Sequence, residues 1–314
     1  MDEPDVEVVA GVDRGLVADV DQLVDHVRRT RGVDGLSEAR LRALEHAASG
    51  SSEVLAVAAR AAGSGPLVGY AQIDAEGDRS SASGELVVVG ADGSGSELAD
   101  RLLDVAIGAF RVAGGGRLRL WVTHAGPSDD TRAATRGFAV ERDLLQLRCP
   151  LPLPPPDGDE ERVTTRPFRP GADEGAWLVV NNRAFAGHPE QGHWDLDALL
   201  DRESEPWFRP DGFRLLEVGG RLAGSCWTKV HEGAEPLGEI YVISVDPDFH
   251  GRGLGRALTR AGLEWLASTG VATGMLYVDG ANGAALHLYR SMGFTTDHVD
   301  RSYVADLASD GPPG

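Results

Sequence analysis

Lysine is almost missing from this chain. Among 314 residues with 30 Lys and Arg together, Lys229 is the single lysine. The abundance of Ala, Gly, Asp and Arg reads as a coding bias against it, so a lysine kept here is a candidate for a task that needs a compact, mobile ammonium rather than a planar guanidinium. Cysteine is scarce too. Cys149 and Cys226 stand far apart and form no metal-spacing motif, which excludes a disulfide framework and fits a reduced, cytoplasmic setting. No apolar run approaches the ~18 residues of a membrane span, and the opening MDEPDVEVV is too acidic for a secretory leader, so neither membrane association nor export is expected. Positive charge is in deficit: 49 acidic residues give a formal net charge of -19. Such a surface repels phosphate backbones and argues against nucleic acid as a partner; it suits a cationic or polyhydroxylated small molecule, or simply solubility. A monomer without a metal is expected.

What is present divides the chain. The stretch RCPLPLPPPDGDE (148–160) is too rich in proline to continue a helix or a central strand and reads as an extended connector. It predicts domains at 1–150 and 163–314 joined by a linker at 151–162. The two parts share an order of landmarks. GPLVGYAQ (65–72) matches GRLAGSCW (220–227), ELVVVGADGSG (85–95) matches EIYVISVDPDFHGRGLG (239–255), RLWVTH (119–124) matches MLYVD (275–279), and TRGF (135–138) matches SMGF (291–294). Early helices precede each set. Leu16, Val20, Leu23 and Val27 share one helical face, and residues 173–186 have the same character. The expected fold is α+β, a tandem repeat in which each part is a mixed central sheet flanked by helices.

The strongest local signal is VDPDFHGRGLGRAL (245–258). An apolar strand (240–245) enters it, and a helix with Ala257, Leu258, Ala261, Leu263 and Leu266 on one face leaves it. Backbone N–H groups at such a helix start are unpaired and lie at the positive end of the helix dipole. Gly251, Gly253 and Gly255 let a phosphate come close, and Arg252 and Arg256 can add charge-assisted hydrogen bonds. This is a pyrophosphate cradle. Its spacing is neither G-x-G-x-x-G nor the lysine-bearing nucleoside-triphosphate loop.

Downstream, LYVDGANGAALHLYRSMGF (276–294) completes a pattern that resembles the acetyl-CoA-binding core of the GNAT superfamily of N-acetyltransferases over residues 239–296. His250 stands where that family usually has Gln or Arg. The resemblance implies two tandem GNAT-like domains using acetyl-CoA as co-substrate. It implies that Ile243, Ser244 and Val245 hold the pantetheine arm, that His250, Gly251, Arg252, Gly253, Leu254, Gly255 and Arg256 hold the pyrophosphate, and that Asn282 also contacts the cofactor. Tyr289 would protonate the leaving thiolate, and Glu239 would take a proton from the acceptor ammonium.

NNRAFAGHPEQGHWD (181–195), WTKVH (227–231) and LGEIYVISVDP (237–247) resemble, more narrowly, the mycothiol synthase family, two-domain members of the superfamily that acetylate the cysteinyl amine of cysteinyl-glucosaminyl-inositol. That resemblance makes Glu38, Glu190, Lys229, Glu239 and Tyr277 candidate substrate contacts. In the first half, Glu85 matches Glu239, but Asp92 and Glu97 replace the arginines and Ala133 stands where the second half has Tyr289. That half is expected to be catalytically dead, with at most a weakly held CoA near Val88. Another small amine (an aminoglycoside, a polyamine or a peptide N-terminus) remains an alternative acceptor, and a non-catalytic acyl-CoA sensor an alternative role.

Overall fold

The computed structural model describes residues 3–33, 35–62, 65–76, 81–90, 93–155, 163–187, 192, 194–233 and 235–309. The chain forms two compact units. One comprises Met1–Leu144 together with His298–Gly314; the other is Leu145–Asp297.

In the first unit, β1 (Asp5–Val8) leads to the helices α1 (Arg14–Arg31) and α2 (Glu38–Ala48). The strands β2 (Val54–Arg60), β3 (Leu67–Glu76) and β4 (Ser81–Val88) follow, then α3 (Gly93–Val112), β5 (Gly116–Val122), α4 (Pro127–Ala134) and β6 (Ala139–Pro150). The sheet order is β1-β2-β3-β4-β5-β12-β6, with β12 spanning Thr295–Leu307. The early helix forms where its spacing predicts. Asp13 caps it by accepting from the Leu16 N–H at 2.8 Å, and Leu16, Val20, Leu23, Val24 and Val27 form its buried face.

The second unit holds β7 (Thr165–Pro167), α5 (Glu174–Ala184), α6 (Leu196–Glu203), β8 (Phe213–Val218), β9 (Arg221–His231) and β10 (Leu237–Val245). Then come α7 (Leu254–Ser268), β11 (Thr273–Asp279) and α8 (Gly283–Ser291). Its sheet runs β6-β11-β10-β9-β8-β7. One face is covered by α7. There Leu258, Leu263 and Leu266 pack with Cys226, Ile240, Leu276 and Tyr289. An aromatic cluster of Trp177, Phe213 and Trp227, with Trp194, Trp207, Phe208 and Tyr241 against it, covers the other.

The landmark repeat is present in both units, down to Gly137 and Gly293, whose φ values of 81° and 91° turn the chain before the buried Phe138 and Phe294. The expected boundaries differ from the observed ones. Strand pairing, rather than the proline stretch, decides membership. Residues Arg301 to Leu307 of β12 pair antiparallel with Val122 to Gly116 of β5, so the end of the chain belongs to the first unit. From Leu145 onward β6 belongs to the second, in the sheet position next to β11.

Candidate active site

The site in the second unit is organised by β10. Along β9 its antiparallel register runs Glu239↔Lys229, Ile240↔Thr228, then Val242↔Trp227, leaving Tyr241 as the extra residue of a β-bulge. On its other side β10 pairs with β11 in parallel, and that pairing ends at Glu239↔Met275. Beyond Glu239 the two strands fork. The Asp246 N–H donates to the Ala223 carbonyl at 2.9 Å. Antiparallel residues alternate in the direction of their backbone groups, so Ile243 and Val245 point theirs away from β9, into the fork. Ser244 does the opposite. Its backbone faces β9, and its buried hydroxyl lies 3.0 Å from Ser225 Oγ, which also accepts the Trp177 indole N–H at 2.9 Å. Ser244 thus contributes to the strand pair, unlike its two neighbours.

The turn after β10 is built by short-range bonds. Asp246 Oδ1 accepts from the Asp248 N–H, and His250 Nε2 lies 3.0 Å from the Val245 carbonyl oxygen. Gly251 and Gly253 both have φ of 75°. A Cβ added to either meets nothing within 4 Å, so the left-handed backbone, not lack of space, requires glycine. α7 then begins without a side-chain cap, and its first intrahelical bond is Ala257 N–H to the Gly253 carbonyl. The N–H groups of Leu254 and Gly255 therefore precede the first intrahelical bond, at the positive end of a four-turn helix. The Arg252 guanidinium lies 5.2 Å from the Phe249 ring centroid, and Arg256 Nη2 donates to Ser291 Oγ on α8. Asn282 is the N-cap of α8; its Oδ1 accepts from the Ala285 N–H at 3.1 Å.

Tyr289, on α8, is buried beside Phe294, with ring centroids 5.7 Å apart. Burial pushes its phenol up to about 12, with the Cys226 thiol a smaller contribution in the same direction. Both cysteines are buried and pushed to about 12 by the same cause, which makes them inert.

Glu239 is only 8% exposed, and Lys229, directly opposite, 5%. The Lys229 ammonium stands 4.7 Å from the Trp207 ring centroid and 5.8 Å from that of Tyr241. This is a cation–π setting in which the ammonium lies against two ring faces as a compact point charge. Glu239 Oε2 is 2.7 Å from His231 Nε2.

The residues 176–294 match the acetyltransferase (GNAT) family. The chain is 43% identical to the mycothiol acetyltransferase of Thermomonospora curvata over 96% of its length and 98% of that protein. It is 51% identical to that of Thermobispora bispora over 70% of its length and 75% of that protein. This chain belongs to the mycothiol acetyltransferase family. It is an N-acetyltransferase. Solved structures share the fold: a GCN5-related N-acetyltransferase from Sphaerobacter thermophilus (TM-score 0.68, 21% identical, 100% of this chain and 98% of that one) and a tandem GNAT protein from the clavulanic acid biosynthesis pathway (0.63, 18%, 99% and 100%).

For this mycothiol acetyltransferase family member, the other candidate residues fall in different places. Tyr277, on β11, is 37% exposed, and its hydroxyl accepts from Gln146 Nε2 at 2.7 Å. Glu190 lies outside the described residues. Glu38 is in the first unit, at the start of α2. Val88 ends β4 there and lines a cavity of about 370 Å³ with Leu86, Trp121, His124 and Arg132. Arg132 is ion-paired to Asp129 and Asp100, and Asp92 lies outside the described residues. Glu85 accepts from the Ser37 N–H at 2.8 Å and the Ser37 hydroxyl at 2.7 Å and is ion-paired to Arg40 at 3.4 Å, so both its oxygens are engaged. Ala133 is buried at the position matching Tyr289. Among the described residues no group of three or more His, Cys, Asp or Glu is placed to hold a metal, and no helix is long and apolar enough to cross a membrane.

The resemblance implied a bulged strand before the turn, and the register places that bulge at Tyr241. Sequence reasoning missed two features: the hold of Gln146 on Tyr277, and His231 beside Glu239. The last had a signal, since His231 follows Lys229 by two residues and so shares its face of the strand.

Proposed function

We propose that the second unit transfers the acetyl group of acetyl-CoA to the cysteinyl amine of cysteinyl-glucosaminyl-inositol, giving mycothiol. The observation that carries this reading is the fork at Glu239, where a buried carboxylate stands at the head of an open strand edge that leads to an uncapped helix start. These groups fit acetyl-CoA. The outward backbone groups of Ile243 and the N–H of Val245 suit the amides of the pantetheine arm, and the N–H groups at the start of α7 suit a pyrophosphate, with Arg252 and Arg256 alongside. The cofactor supplies an activated thioester.

Glu239 accepts a proton from the acceptor ammonium, the freed amine attacks the carbonyl carbon, and the nitrogen gives up its second proton to solvent as the amide forms. As the carbon–sulfur bond breaks, Tyr289 donates its phenol hydrogen bond to the departing sulfur. A phenol raised to about 12 stays protonated across the working range, so it is always loaded. It is also a weaker acid than an ordinary thiol, ~8.5, so it steadies the thiolate first and solvent completes the protonation. Lys229 and Tyr277 serve the oxygen atoms of the acceptor, with Glu190 as a further carboxylate for its hydroxyls. The first unit supports no transfer: Glu85 is fully engaged and Ala133 offers no acid, and any CoA it holds is weakly bound beside Val88.

The test is incubation with acetyl-CoA and a panel of amines that includes cysteinyl-glucosaminyl-inositol, following CoA release and product mass. Acetylation of that acceptor at the nitrogen is expected; turnover confined to an aminoglycoside, polyamine or peptide, or none on any amine, refutes the reading.

A further inference from the structure

Glu239 and its counterpart Glu85 are held in opposite ways. Glu85 has both oxygens engaged by Ser37 and Arg40. Glu239 has one oxygen engaged: Oε2, 2.7 Å from His231 Nε2, and among the described residues no other side chain hydrogen-bonds to that carboxylate. An ionised carboxylate can only accept, so the imidazole donates, and its proton sits on Nε2. His231 pairs with Leu237, two residues before Glu239, on the closed side of the fork. It therefore reaches the carboxylate from behind and stays clear of the open edge at Ile243 and Val245. Its side chain is 34% exposed against 11% for that of Glu239, so the imidazole is the more solvent-facing partner of the pair.

We propose that His231 is the positioning residue of the catalytic base. Its Nε2–H pins Oε2 and so presents Oε1 toward the fork, where the acceptor ammonium must lie. A glutamate side chain turns about three bonds, and a short strand end does little to restrict them. Without the imidazole the carboxylate samples orientations that cannot reach the proton, and turnover falls while the binding of both substrates persists. No covalent step passes through His231. This inference rests on Glu239 being the base.

Two substitutions and a cycle test it on the full chain, with acetyl-CoA and the acceptor amine. His231→Leu removes the donor and is expected to lower kcat at least tenfold, with KM for each substrate within about threefold of wild type. His231→Gln carries an N–H donor at the place of Nε2 and is expected to recover most of that loss. In a Glu239→Gln background His231→Leu should cost less than threefold more, because a residue acting through the base has nothing left to orient. Wild-type kcat in His231→Leu, a loss in His231→Gln as large as in His231→Leu, or multiplicative losses in the double variant each overturn the proposal. Should His231→Leu fail to fold, His231→Asn, whose amide is too short to reach Oε2, takes its place in both comparisons. If Glu239→Gln alone keeps wild-type kcat, it is the base assignment that fails; if Glu239→Gln is slow and the His231 variants are not, the positioning role fails by itself.

Discussion

Lys229 and Glu239 face one another across the β9–β10 pair, and both are nearly withdrawn from water. The chain thus places its single lysine opposite its proposed base, with the ammonium against the rings of Trp207 and Tyr241. Lys229→Ala is expected to raise KM for the acceptor about tenfold, the worth of one charge-assisted hydrogen bond at the low end of its range. Lys229→Arg should not restore it, since a planar fork does not direct its hydrogen bonds as a compact ammonium does. Steady-state kinetics on the two variants decide; a fully active arginine variant contradicts the need for a compact ammonium.

Glu239→Gln keeps shape and removes basicity. Its kcat should fall by about 10²–10⁴ at pH 7, the range for a positioned base. The loss should shrink as pH rises, because an α-amine titrates near 7.7–8.0 and solvent then supplies the neutral nucleophile. Acetyl-CoA affinity, measured by calorimetry, should hardly change. A variant as fast as wild type at pH 7 would falsify the assignment.

Arg252→Ala with Arg256→Ala removes two cations beside the open start of α7. KM for acetyl-CoA should rise at least tenfold and become less sensitive to ionic strength, because screening acts on the lost charges. Acetyl-pantetheine, a thioester that carries no pyrophosphate, should show no such difference between variant and wild type. An equal loss with both donors would place the effect on the strand rather than the turn.

Tyr289→Phe should reduce kcat with little change in KM, the pattern of an interaction made only as the bond breaks. Burial holds the phenol protonated up to about pH 12. Any decline of kcat between pH 8 and 10 must therefore come from another group and should persist in the variant. A decline in that window that vanishes in Tyr289→Phe would contradict the buried phenol.

Glu203, on α6, has a buried Oε1 without a hydrogen-bond partner among the described residues, and its carboxyl is raised to about 7 by burial first and by Glu174 second. A folded pKa above the unfolded one means that the folded protein prefers the protonated acid. Stability from this group is complete below about 4.5 and is lost as pH rises through about 7. Glu203→Gln should leave Tm unchanged near pH 4.5 and raise it at pH 8. A Tm gain of the same size at both values would exclude titration as its cause.

The parts of this protein that are legible in its sequence are those made by neighbours along the chain. Gly251 and Gly253 carry their backbone demand in their identity, and α1 shows its buried face as a spacing of three and four. Tyr289 stands four residues before Gly293, within one short helix and its exit turn. The bulge at Tyr241 is a property of register, which no single strand reveals. The same register brings His231 to Glu239, and Ser244 to Ser225 rather than to the fork. The proline stretch punctuates the chain plainly, but it says nothing about which strands pair on either side of it.

The pairing of β12 with β5 has a consequence for how the molecule is made. A ribosome releases the chain from its first residue to its last, and most domains fold as units while the remainder is still being synthesised. Here the earliest unit waits for the final strand. Until Arg301 to Leu307 emerge, β5 has an open edge where β12 will lie, and the loop that must close contains the whole second unit. The second unit, complete once Asp297 is out, can fold first. The nascent first unit is then the period of greatest exposure to misplaced strands, and early termination near the C-terminus would damage the part of the protein that was translated first.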